Sequence, residues 1–214
     1  VDPNATDALY QKAMFIQNKK DYYKAIDIYK DMVAIDAKNE HVFYNIGYCY
    51  FQIDSIDKAH KNFSIAIDLD PQYADAYYNR GLTYYYMAMD KQAIDDYGKA
   101  IELEPDFRDA YFNRGLAKYQ VKDLKGSIAD YTKSIELDKS FFKAYYRRGI
   151  SKYDIENYQG AIDDYNKAIQ LNNKDPYAYY ERGLTYYALL NDQKACDDWQ
   201  KSLELGYKDA YKSI

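Results

Sequence analysis

The chain is poor in the residues from which catalytic and metal sites are usually built. Its 214 residues include two cysteines, two histidines, one tryptophan and four prolines. Cys49 and Cys196 stand far apart, so a disulfide is not expected and both read as small hydrophobes. His41 and His60 have no cysteine or carboxylate set at ligand spacing, so no metal is expected. No serine or cysteine sits beside a base in a nucleophile pattern, and no glycine-rich phosphate loop is present. The reading is therefore no enzyme and no cofactor. Basic excess is lacking too: a net charge of −5 and a pI near 5.1 argue against a nucleic-acid partner. No run approaches the roughly 18 apolar residues of a membrane span, so no membrane insertion is expected. The opening Val1-Asp2-Pro3-Asn4 has no signal-peptide pattern, and the compartment stays open.

What the chain does have is tyrosine, 29 residues of it, and a period. Ala13, Gly47, Gly81, Gly115, Gly149 and Gly183 follow one another at intervals of 34 residues. Each repeat is counted from its first residue, beginning at Thr6, so these occupy the eighth place. The twentieth place reads Ala25, Ala59, Ala93, Ser127, Ala161, Ala195. The twenty-seventh reads Met32, Ala66, Ala100, Ser134, Ala168, Ser202. Large residues hold the fourth place (Leu9, Phe43, Tyr77, Tyr111, Tyr145, Tyr179) and the twenty-fourth (Tyr29, Phe63, Tyr97, Tyr131, Tyr165, Trp199). Small residues facing aromatic knobs at these intervals predict an antiparallel pair of closely packed helices, A and B, in every repeat. A fixed period of this length predicts an all-α stack rather than one globular core.

This pattern, with Pro71 and Pro105 closing the second and third repeats, resembles the tetratricopeptide repeat family. The resemblance covers six repeats, 6–39, 40–73, 74–107, 108–141, 142–175 and 176–209, read as one domain over 6–209. Lys139, Asn173 and Tyr207 replace the proline in later repeats. The resemblance implies a right-handed α-solenoid superhelix with the A helices lining a concave face, each repeat touching only its neighbours.

On the face of helix A that the family turns inward lie the fifth place (Tyr10, Tyr44, Tyr78, Phe112, Tyr146, Tyr180) and the ninth, including Leu82, Leu116 and Ile150. They predict an aromatic and aliphatic channel, with packing against the next helix A as the competing use of the rings. The sixth place runs Gln11, Asn45, Asn79, Asn113, Arg147, Glu181. An asparagine amide matches the donor and acceptor of a peptide bond, so this row is expected to grip an extended chain; bonding to neighbouring helix groups is the alternative. A chaperone-docking type within the family captures a C-terminal carboxylate with Lys and Asn side chains and an Arg. Asn113, Lys143 and Arg147 stand at matching places, but Tyr78 and Leu82 replace the first Lys and Asn. A full clamp is not expected. One anionic side chain or terminus near Lys143 and Arg147 is, unless Asp109 or Asp154 balances them.

A second correlation concerns architecture. Arg80, Arg114, Arg148 and Arg182 hold the seventh place of repeats three to six, and Asp96, Asp130, Asp164 and Asp198 the twenty-third. Repeats one and two lack both. The co-occurrence predicts an ion pair inside each of those four repeats.

At the C-terminal end, Asp209-Ala210-Tyr211 is similar to Asp109-Ala110-Tyr111, so 210–214 read as the start of a cap helix or a truncated end. The closing run is also similar to the last repeat of many bacterial members, which leads us to expect a natural end just beyond Ile214. Tyr207 and Tyr211 are candidates for self-association. The functional reading is a scaffold or adaptor that holds a peptide segment of a partner protein, the alternative being a structural spacer in an assembly that contacts partners by its convex face or ends.

Overall fold

The computed structural model describes residues 3–212, with side chains from 6 to 210; the side chain of Tyr211 lies outside the described residues. Among these residues it is all helical. The A helices are α1 (Pro3–Asn18), α3 (Glu40–Gln52), α5 (Ala74–Tyr86), α7 (Arg108–Gln120), α9 (Phe142–Asp154) and α11 (Pro176–Ala188). The B helices are α2 (Tyr22–Ile35), α4 (Ile56–Leu69), α6 (Asp90–Leu103), α8 (Leu124–Leu137), α10 (Tyr158–Leu171) and α12 (Asp192–Glu204), followed by a 3-10 turn, Lys208–Lys212. The chain divides into two compact bodies, Val1–Ala110 and Tyr111–Ile214.

Within each body the same contact closes every helix pair. The twenty-fourth-place rings are buried, and so are the alanines and serines of the twentieth and twenty-seventh places. A methyl group on Gly81, Gly115 or Gly149 would stand 2.6–2.8 Å from the ring of Tyr97, Tyr131 or Tyr165. That is inside van der Waals contact, so glycine is required for the ring to lie against the helix. Trp199 is 5% exposed, and the closing turn puts Ala210 against it. Cys49 is buried and Cys196 only half-buried, so the second is less of a core residue than its sequence context suggests; both are free thiols.

The turn from A to B has no glycine, yet it is left-handed in all six repeats. Lys20, Asp54, Ala88, Lys122, Glu156 and Leu190 have φ between +56° and +66°. The next residue's N–H closes back on the helix five residues earlier, as in Met89 to Tyr84 and Asn191 to Tyr186, both 2.9 Å. This is a Schellman closure, which satisfies the last carbonyls of helix A. Helices then restart on side-chain caps: Asn39 accepts from Val42 N, Asp123 from Gly126 N and Asp175 from Tyr177 N.

Candidate functional site

The polar residues on the A helices fall into two groups, those already engaged within the fold and those left over. Arg80, Arg148 and Arg182 each give two parallel bonds, Nε and Nη2, to the carboxylate of Asp96, Asp164 and Asp198 at 2.6–2.9 Å, and Arg114 does the same to Asp130. The acceptors are buried. Each bond joins helix A to helix B of one repeat. Three of the arginines also reach back to the preceding B helix: Arg80 to Ser64, Arg148 to Thr132 and Arg182 to Asn166. Lys118 and Lys152 add a second cation to Asp130 and Asp164, at 2.9 and 2.8 Å. These residues hold repeats together.

Two members of the asparagine row, Asn45 and Asn79, are also engaged, which is the alternative use foreseen for them, bonding to neighbouring helix groups. Asn45 is buried and spends its amide N–H groups on the Tyr10 hydroxyl (2.9 Å) and the His41 carbonyl (2.8 Å). Asn79 does the same with Tyr44 (3.1 Å) and the Asp75 carbonyl (2.8 Å). A buried amide must be satisfied inside the fold, and here a neighbouring phenol does so. Sixth-place amides and fifth-place phenols thus form a ladder from one repeat to the preceding one. Asn113 is half-buried.

The rings are partly plugged. Tyr44 packs on Tyr73 (5.0 Å between centroids), Tyr78 on Phe107 (4.7 Å) and Phe112 on Phe141 (4.9 Å). Tyr73, Phe107 and Phe141 occupy the last place of their repeats, just before the next helix A. The first and fifth repeats carry Asn39 and Asp175 there instead, and a cavity opens beside each. One, of about 220 Å³, is lined by Asp7, Tyr10, Met32, Asn39 and His41 together with Thr6. The other, of about 310 Å³, is lined by Phe112, Leu116, Phe142, Lys143, Tyr146, Arg147 and Asp175. Phe142 and Asp175 escape a reading based on helix faces; the missing last-place ring is the signal that finds them. Leu82 and Ile150 are half-buried, and Tyr180 packs on Tyr207 at 4.9 Å.

The larger cavity is where the ladder breaks. Phe112 has no hydroxyl, and Arg147 follows it at the place where an amide would otherwise bond a phenol. Lys143 and Arg147 are exposed, and neither forms an ion pair with a described residue. Asp109 is paired with Arg108 (2.8 Å), and Asp154 accepts from the Tyr119 hydroxyl (2.7 Å). The Arg147 guanidinium lies 5.6 Å above the Tyr146 ring. Burial, aided by the bond to Asp154, pushes the Tyr119 phenol up to about 12. Burial likewise pushes the Glu181 carboxyl up to about 7, with Asp154 adding to the effect and Arg147 opposing it. Lys143, Arg147 and Asp175 thus stand around an apolar floor of Phe112, Leu116, Phe142 and Tyr146.

His41 is exposed, with Nδ1 3.2 Å from the Tyr73 hydroxyl; His60 is half-buried against Thr83. No group of three His, Cys, Asp or Glu among the described residues could hold a metal ion. No described helix is long and apolar enough to cross a membrane.

Paired helices repeating this way define a helical-repeat protein. Family profiles for the tetratricopeptide repeat match residues 74–107 and 109–141, and a further TPR repeat profile matches 47–87 and 151–189. The chain belongs to the tetratricopeptide repeat family. Among curated proteins it is 32% identical over 72 residues to Anaphase-promoting complex subunit 3 of Dictyostelium discoideum. That match covers 34% of this chain but only 7% of the relative. The fold is similar to that of PilF from Pseudomonas aeruginosa, with a TM-score of 0.81 at 16% identity, covering 98% of this chain and 96% of that one. It is also similar to YrrB, described as a TPR protein with an unusual peptide-binding site: TM-score 0.77, 19% identity, 86% and 96% coverage.

Proposed function

We propose that the chain is a protein–protein interaction scaffold and that its second body holds a partner segment in the cleft between Phe112 and Arg147. The segment carries an acidic side chain or terminus, set against Lys143 and Arg147, and a bulky apolar side chain that fills the space above Phe112, Leu116, Phe142 and Tyr146. One observation carries this reading: two cations on one face of α9, neither ion-paired to a described residue, stand beside a cavity floored by Phe112, Leu116, Phe142 and Tyr146, with Asp175 as the one acid in its lining, where Phe112 and Arg147 replace a phenol and an amide. The peptide-binding site for which YrrB is described lends support by analogy of fold.

The test is a pull-down from the source cell with wild-type protein and the Lys143→Glu/Arg147→Glu variant. Both residues are exposed, so folding should be unchanged, as checked by circular dichroism. Binding of the cleft's partner should fall at least about ten-fold, since charge reversal replaces attraction by repulsion. If every partner is retained at full strength, the cleft is not the docking site. That result would favour the spacer reading, which draws its support from a relative that is itself a subunit of a complex.

A further inference from the structure

The last place of a repeat has one side chain and two competing uses. It can cap the next helix A, or set a ring against the fifth-place ring of its own repeat. Tyr73 and Phe141 give no side-chain cap to α5 and α9. With Phe107 they place rings 4.7–5.0 Å from Tyr44, Phe112 and Tyr78, centre to centre. Tyr207 does the same for Tyr180 at 4.9 Å. Asp175 takes the other course: its carboxylate accepts from Tyr177 N at 2.9 Å and caps α11. Among the described rings Tyr146 is left with one neighbour, Tyr165 at 6.3 Å. The cavity of about 310 Å³ opens beside it. An apolar cavity of roughly 150 Å³ already accepts benzene.

We propose that the apolar group received by this cleft is an aromatic ring of the partner segment, which takes beside Tyr146 the seat that a last-place ring takes in the second, third and fourth repeats. This rests on the cleft reading and names the chemistry that the cleft selects. Two features make the seat complementary to a ring rather than to an aliphatic chain. Phe112, Phe142 and Tyr146 line it with ring surface, and aromatic pairs gain beyond the area they bury. The Arg147 guanidinium, 5.6 Å from the centre of the Tyr146 ring, offers an incoming ring a cation as well. Charge sets what stands next to that ring. Lys143 and Arg147, one turn apart on α9, line the cavity with Asp175 as its one acid, and that carboxylate is engaged by the α11 backbone. The segment is therefore an aromatic residue flanked by an acidic one.

The probes are two peptides blocked at both ends, Gly-Ser-Glu-Phe-Glu-Ser-Gly and the same sequence with Leu for Phe. Each is titrated into isotope-labelled protein and followed by the NMR amide shifts of α9. The Phe peptide should move Tyr146 and Arg147 and bind about five-fold more tightly than the Leu peptide, the gain of an aromatic pair. Asp175→Phe restores the chain's own last-place ring. It should lower affinity for the Phe peptide at least about ten-fold, the loss expected when one large apolar side chain is no longer buried. Asp175→Asn keeps the capping acceptor, as Asn39 does, and should bind no less tightly than wild type. Circular dichroism checks that Asp175→Phe folds; the wild-type comparison stands without it. Equal affinity for the two peptides, lost in the Lys143→Glu/Arg147→Glu variant, overturns the ring seat and leaves the cleft standing. Undiminished binding by folded Asp175→Phe also overturns it. If neither peptide moves Tyr146 or Arg147, or if the charge-reversed variant binds both like wild type, the cleft and the ring seat fall together.

Discussion

At the scale of single residues, the fold sorts identical chemistry into different roles by burial. Asp130 is buried between Arg114 and Lys118, while Asp109 is only half-buried and pairs with its sequence neighbour Arg108. Asp130→Ala leaves two cations facing each other without a counter-ion. We expect a loss of about 3 kcal/mol in urea unfolding, the scale for breaking a buried pair; a loss below about 0.5 kcal/mol would mean that water already screens it. The co-occurrence of seventh-place Arg with twenty-third-place Asp is visible in the chain as a correlation. Lys118 and Lys152 are not, because lysine on a helix usually reads as solvent-facing, and only the packed pair shows that these two reach inward. The asparagine row is ambiguous in the sequence for a related reason. Its spacing suits a peptide backbone, but the phenol that takes its protons comes from the preceding repeat.

At the scale of helices, the positions of A and B follow from the alternation of small and aromatic places, which are visible in one dimension. The turn between them is not. Six non-glycine residues adopt positive φ because the Schellman closure and the packing of helix B over-determine the geometry, outweighing roughly 1–2 kcal/mol of local strain each. Leu190 is 89% exposed and has φ +58°, so its side chain contributes little packing in return. Leu190→Gly should therefore stabilise the protein by about 0.5–1 kcal/mol, the relieved strain exceeding the added entropy of the unfolded chain. Differential scanning calorimetry would read this as a higher melting temperature; a lower one would show that the leucine makes a contact of its own. The last-place residue is another element-level device. A ring there closes the cavity beside helix A, and Asn39 or Asp175 leaves it open.

At the scale of the molecule, stability is a sum over neighbouring repeats rather than the property of a single core. Asp130 and Asp198 belong to the fourth and sixth repeats and share no bonding partner. Their alanine substitutions should then be additive to within about 0.5 kcal/mol in equilibrium unfolding. A coupling above about 1 kcal/mol would mean that the ion pairs form one network across repeats.

The period, the pairing of helices and the family membership were present in the order of residues, because an antiparallel helix pair needs small and large side chains at fixed intervals and few other folds do. Which polar groups are bonded within the fold was decided only in three dimensions. A side chain's availability depends on the neighbour one repeat away, and that neighbour satisfies Asn45 and Asn79 while leaving Lys143 and Arg147 without a counter-ion.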